Sequence, residues 1–200
     1  MTAINGYTPT EYTRMVRDLT KPGQAVIDGL TPFTAHLLHM AVGVVGEVGE
    51  KLEAILNNDP ENLREECGDL EFYLEGLAFS LYDGQTLHKP VPEFTDQQVD
   101  DYLKTLPTDE HTEKLHIVAC RLLDYAKKAS VYAKELDLFN TALQVASLRC
   151  LMDVFYFQNG SWRGEFLDHN MTKLLKGDKA RYKSGAYSDQ QAQVRTDKQE

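Results

Sequence analysis

Apolar residues recur along most of this chain at intervals of three and four, the spacing of one face of an α-helix. No stretch alternates with the period of two that a half-buried strand needs. The pattern predicts helices over about 10–20, 32–56, 60–82, 96–105, 110–134, 138–158 and 163–176. Punctuation supports these bounds. Lys21-Pro22-Gly23 ends the first helix, and Thr31-Pro32 opens the second with proline in its first turn. Asn57-Asn58-Asp59-Pro60 separates the second from the third, and Asp83-Gly84 ends the third. Pro90 and Pro92 mark a connector, Thr95 caps a short helix, and Asn159-Gly160 is a turn. Beyond Lys183 the chain is polar and reads as either a flexible tail or an ordered flap. The expected fold is all-α, an antiparallel helical bundle forming one domain over 1–200.

The chain also resembles itself. Setting His116 on His39 lays HIVACRLLDYAKKA over HMAVGVVGEVGEKL, with Asp124 on Glu47 and Lys127 on Glu50. The following helix then offers Ala142 and Val145, or Ala146 and Arg149, at the places of Glu66 and Asp69. Carboxylates are missing either way. The expectation is a second, degenerate hairpin over 110–158 that packs against the first and holds no metal. Chance similarity between two amphipathic helices is the alternative.

Candidate chemistry concentrates in the first hairpin, 32–84. Glu47 and Glu50 form one i, i+3 pair, and Glu66 and Asp69 form another. On a helix each pair stacks on one face about a turn apart. An antiparallel hairpin brings the four carboxylates to one spot, where they repel unless a cation sits among them. A hard divalent ion with oxygen ligands is the natural occupant. Solvated surface acids are the plain alternative. Three details weigh against it: the apolar run 37–45 around the first pair, glycines at 43, 46 and 49, and Tyr73 one turn after Asp69. Each glycine costs about 1 kcal/mol inside a helix, which makes sense if a neighbouring helix or a ligand comes close.

The segments GVVGEVGEKLEAI and NLREECGDLEFYL resemble the Glu-x-x-Glu … Glu-x-x-Asp signature of the all-α nucleoside triphosphate pyrophosphohydrolases, the MazG-like enzymes and their dimeric dUTPase and dCTPase relatives. A second piece, Asn170-Met171-Thr172-Lys173-Leu174 with Arg181-Tyr182-Lys183-Ser184-Gly185-Ala186-Tyr187-Ser188, is similar to the tail of phage-type members. Lys183 replaces the usual proline there, and Tyr187 the usual phenylalanine. The resemblance implies Mg²⁺ or Mn²⁺ bound by Glu47, Glu50, Glu66 and Asp69. Glu66, and also Glu47, are the residues it makes catalytic, and Glu66 stays open between ligand and water-activating base. It implies substrate contacts from Tyr73, Asn170, Lys173, Arg181 and Tyr182, the last four carried by a substrate-binding helix and tail over 163–200. The implied substrate is a nucleoside triphosphate, with deoxynucleotides favoured, and the products are the monophosphate and pyrophosphate.

Composition narrows the alternatives. The 200 residues carry a formal net charge of −10, and 42% are hydrophobic. An acidic chain is a poor general nucleic-acid binder, because phosphates must be met by Lys and Arg. The three cysteines, Cys67, Cys120 and Cys150, form no Cys-x-x-Cys unit and read as thiols of a reducing compartment. The N-terminus lacks a leader pattern, and the apolar run 37–48 is too short for a bilayer. A soluble cytoplasmic protein without membrane partners is expected. A homodimer is also expected, since Leu- and Val-rich helices offer more apolar surface than one bundle core uses. Lys51 and Glu53 read as surface residues, Glu65 as pointing away from Glu66, His36 as a buried histidine or else a base contact, and Trp162 as either a base-stacking or a core-closing ring. A helical interaction or regulatory protein whose acids are structural is the reading from a different class.

Overall fold

A computed structural model of the chain describes residues 9–82, 91–182 and 185–194. The expected stop at Asp83-Gly84, the connector residue Pro90 and the replacement at Lys183 lie outside them. Among the described residues every regular element is helical. The elements are α1 (Pro9–Leu19), α2 (Gly23–Ile27), α3 (Pro32–Leu56), α4 (Pro60–Tyr82), α5 (Asp96–Lys104), α6 (His111–Tyr132), α7 (Leu138–Gln158), α8 (Arg163–Met171), a π-helical turn (Thr172–Lys176) and α9 (Asp189–Val194). The all-α expectation holds. The short helices α2 and α9 were not expected, being too brief to show a periodic pattern.

Local chemistry sets the helix ends. Thr31 and Thr34 form a reciprocal capping box at the start of α3, with Pro32 next in line. Asn58 adopts a left-handed φ of 51° after α3, and Asp59 then accepts from the Asn62 amide at 3.0 Å to start α4. Thr95 and Gln98 cap α5 in the same reciprocal way. Asp137 caps α7 through the Asn140 amide.

The hairpins α3–α4 and α6–α7 build the core. Their most extensive contacts are α3 with α4, α3 with α6, and α6 with α7, and α7 closes back on α4. Two hairpins of one chain thus complete a four-helix arrangement. Leu37, Val44, Leu70, Leu74, Leu122, Leu148 and Met152 are fully buried in a continuous cluster. Truncating any of these leucines to alanine costs about 2–5 kcal/mol. Helix α5 rests on α7, and α8 rests on α4.

The internal repeat is present in the burial pattern, with a register one residue from the expected one. Leu37, Met40, Ala41, Val44 and Val48 of α3 match Leu115, Val118, Ala119, Leu122 and Ala126 of α6, all buried. Cys67, Leu70, Leu74 and Ala78 of α4 match Val145, Leu148, Met152 and Tyr156 of α7 at the same offset. Pairing His116 with His39 instead sets buried Val44 against exposed Arg121. In the corrected register Tyr125, Lys128, Gln144 and Ser147 stand at the places of Glu47, Glu50, Glu66 and Asp69. The loss of carboxylates holds, but Asp124 is no relic of Glu47. It is a surface acid paired with Lys128 at 2.5 Å.

Among the described residues no single helix is long and apolar enough to cross a membrane. Thr10–Ile27 and Pro32–Leu56 pass that test only as a pair, bent by 119°.

Candidate metal centre

Glu47 and Glu50 project from α3, and Glu66 and Asp69 from α4. The i, i+3 spacing works as expected. One oxygen each from Glu47, Glu66 and Asp69 lie within 4.8 Å of one another. Glu50 is more exposed but lines the same cavity of about 230 Å³, together with Glu65, Tyr73, Arg181 and Ala192.

Gly43 makes room for Tyr73. A Cβ there would fall 2.3 Å from the tyrosine ring, so any larger residue would push Tyr73 off the wall. Gly46 and Gly49 have nothing within 4 Å of such a Cβ. A close neighbour therefore explains only the first of the three glycines.

Two full negative charges 4.8 Å apart repel by about 3 kcal/mol at an effective dielectric near 20. Two compensations are visible. Burial raises the Glu47 carboxyl to about 9, helped by its hydrogen bond to Glu66 and by the charges of Asp69, Glu50 and Glu66. Burial also raises Glu66. At neutral pH the pair therefore holds a proton. Asp69 is compensated differently. The Lys173 ammonium donates to both its oxygens at 2.5 Å, and Asn170 Nδ2 donates to Oδ1 at 2.5 Å.

The donor set fits a hard cation on chemical grounds. Glu47 Oε2 is buried and has no hydrogen-bond partner, a costly state for a carboxylate oxygen. Three hard oxygen donors from two helices, one of them from Glu47, lie close together, which suits Mg²⁺, an ion that takes few carboxylates and keeps several waters.

Tyr73 and Arg181, expected near substrate, both line the acid cavity. Asn170 and Lys173 reach the site too, but their polar ends are engaged with Asp69. Lys173 also bonds Glu65 at 3.2 Å. Tyr182 does not line the cavity. Its ring lies 5.8 Å from that of Tyr187.

Several readings of single residues are corrected. Glu65 was expected to point away, yet it lines the cavity and holds Lys173. The signal was available, since Glu65 and Asp69 are i, i+4 neighbours on one face. Lys51, expected at the surface, is only 1% exposed. Its ammonium sits 3.5 Å above the Phe155 ring, and burial lowers its pKa. His36 is exposed. Trp162 is 65% exposed and lies over Gly164 instead of closing the core.

Sequence reading missed the network that fixes α8. Glu71, 1% exposed, accepts from Tyr156 Oη at 3.0 Å and from Arg163 Nε at 2.7 Å. Gly68 lets α8 approach, since a Cβ there would meet Asn170 at 3.0 Å and the Phe166 carbonyl at 3.1 Å. This docking brings Asn170 and Lys173 to Asp69.

No protein-family model, curated protein or solved structure matches this chain.

Proposed function

We propose that this chain is a Mg²⁺-dependent nucleoside triphosphate pyrophosphohydrolase of the MazG-like kind, acting on deoxynucleotides to release the monophosphate and pyrophosphate. The observation that carries this reading is the convergence of Glu47, Glu66 and Asp69, together with a buried oxygen of Glu47 that has no hydrogen-bond partner. Glu47, Glu50, Glu66 and Asp69 would hold the cation, Mg²⁺ or Mn²⁺. Bound there, it would neutralise phosphate charge and acidify a water.

The chain's own residues do the rest. Asn170 and Lys173 orient Asp69. Burial raises the Glu66 carboxyl above its ordinary value, which makes it a stronger general base toward a water than an ordinary carboxylate. Arg181 lines the cavity, where its guanidinium would meet a phosphate. Tyr73 forms the wall for the sugar or base. Under this reading the protein works in the cytoplasm on nucleotide pools and has no nucleic-acid or membrane partner. A homodimer remains part of the proposal. Tyr12, Met15, Val16 and Leu19 form an exposed stripe at i, i+3, i+4 and i+7 on α1, apolar surface that a second copy would cover. Light scattering giving the mass of a single chain at micromolar concentration would remove the dimer.

The test of activity is pyrophosphate release from each of the common dNTPs with Mg²⁺, with Mn²⁺ and with EDTA. Turnover with metal and none in EDTA is expected. Equal turnover in EDTA sinks the metal role.

One observation favours a second reading. Lys173 already neutralises Asp69, as a permanent counter-ion in a structural or regulatory acid cluster would. In that case the chain hydrolyses no dNTP and binds Mg²⁺ only weakly.

A further inference from the structure

The second hairpin carries its own cavity, of about 550 Å³, between α5, α6 and α7. It is larger than the acid cavity and falls within the range of small-molecule sites. In the corrected register Tyr125 and Gln144 line it from the places of Glu47 and Glu66. Arg121 lines it from the place of Gly43. The repeat has therefore kept a cavity here while exchanging Glu47 and Glu66 for a phenol and an amide and Gly43 for a guanidinium, with Asp124 as the one carboxylate on its wall.

The polar wall is hydrogen-bonded together. Gln144 is 1% exposed. Its Oε1 accepts from Tyr102 Oη at 2.6 Å, and its Nε2 donates to the Asn140 carbonyl at 3.2 Å. Those two bonds fix which way the amide faces and leave one of its N–H donors over. Arg121 Nη1 donates to Tyr102 Oη at 2.9 Å, and its guanidinium lies 5.9 Å from the Tyr102 ring centroid. Among the described residues no carboxylate pairs with Arg121, and one bond uses only one of its five donors. Tyr102 and Tyr125 add aromatic surface.

We propose that this cavity is a second, metal-independent ligand site that takes a nucleoside monophosphate. The aromatic rings suit a base, the fixed amide suits a base edge, and Arg121 suits a single phosphate. A triphosphate is disfavoured, because its charge needs a cation and the one acid on this wall, Asp124, is already paired with Lys128. The choice of a nucleotide rests on the reading of the acid cavity as a triphosphate site, whose product is this ligand. A filled second site would let product level act on the other hairpin through the α3–α6 contact.

The test is equilibrium dialysis of dAMP, dCMP, dGMP and dUMP against the full chain in EDTA. At least one should bind at about one per chain with Kd below about 1 mM. Arg121→Ala should weaken it at least about tenfold, the scale of a lost charge-assisted bond. Glu47→Gln should leave it unchanged. A second measurement needs no variant. Cys120 is exposed and lines the cavity, so the bound monophosphate should slow its alkylation, read by peptide mass spectrometry. Binding of none of the four overturns the proposal. So does binding that is lost in Glu47→Gln but kept in Arg121→Ala, or binding that leaves Cys120 alkylation unslowed. Because the assay contains no metal and no triphosphate, it can succeed while pyrophosphate release fails. That result would keep this site and remove the proposed activity.

Discussion

The two hairpins share one buried pattern and differ in almost every residue that could do chemistry. Leu70 and Leu148, or Val44 and Leu122, occupy matching core positions. Yet Glu47, Glu50, Glu66 and Asp69 in one hairpin face Tyr125, Lys128, Gln144 and Ser147 in the other. Packing constrains the apolar face, because each lost contact costs stability. The positions beside the cavity carry no such constraint. Their chemistry is grafted on a common scaffold, and the same frame holds one cavity crowded with acids and one lined by a single arginine and a single acid.

The largest contrast should lie in turnover. Glu47→Gln should lower kcat/KM by at least roughly a thousandfold, about 4 kcal/mol of transition-state stabilisation. Lys128→Gln, at the place of Glu50 in the other hairpin, should leave it within about twofold, since surface changes away from a site cost little. Steady-state pyrophosphate release checks both. A comparable loss from Lys128→Gln would mean that the second hairpin takes part in the reaction.

Next comes the anchoring of α8. Glu71 is buried against Arg163, whereas Arg149, at Glu71's place in the second hairpin, meets the exposed Glu75 at 2.5 Å. Arg163→Met should cost about 3 kcal/mol because it strands a buried carboxylate. Arg149→Met should cost less than about 1 kcal/mol, as exposed pairs do. Urea unfolding compares them, and equal losses would show that burial does not separate the two pairs.

Removing the ammonium that neutralises Asp69 should have a smaller effect, one that metal can reverse. Lys173→Met should destabilise the EDTA-treated chain by about 2 kcal/mol, the scale of a charged hydrogen bond. Excess Mg²⁺ should restore most of that loss. If Mg²⁺ restores nothing, the acids do not accept a cation there.

A further contrast is a pH slope confined to the acidic hairpin. The folded state raises Glu47 from 4.5 to about 9, so folding favours its protonated form. That stabilisation is complete below the unfolded value and is lost as pH rises through the folded one. In EDTA, Tm should therefore fall between about pH 6 and pH 9, while Glu47→Gln flattens the slope. Tyr125, its counterpart, has a pKa raised above the ordinary tyrosine value and stays neutral across that window. A flat wild-type profile would place Glu47 in water.

Much of this protein was legible in the chain alone. Helix ends follow from local chemistry, such as the Thr31–Thr34 box and the Asp59 cap, and these need only neighbours in sequence. The carboxylate pairs follow from the helical repeat, which sets who shares a face. What the face meets is another matter. Lys173 reaches Asp69 across 104 positions, and only the docking of α8 through Glu71 and Arg163 brings them together. Lys51 reads as a surface charge until α7 lays Phe155 against it. The repeat shows the same limit, since a slip of one residue turns a helix by about 100°, and sequence likeness favoured the wrong register by that one step. Periodicity sets each helix's faces, but long-range packing decides which of them become core and which become site.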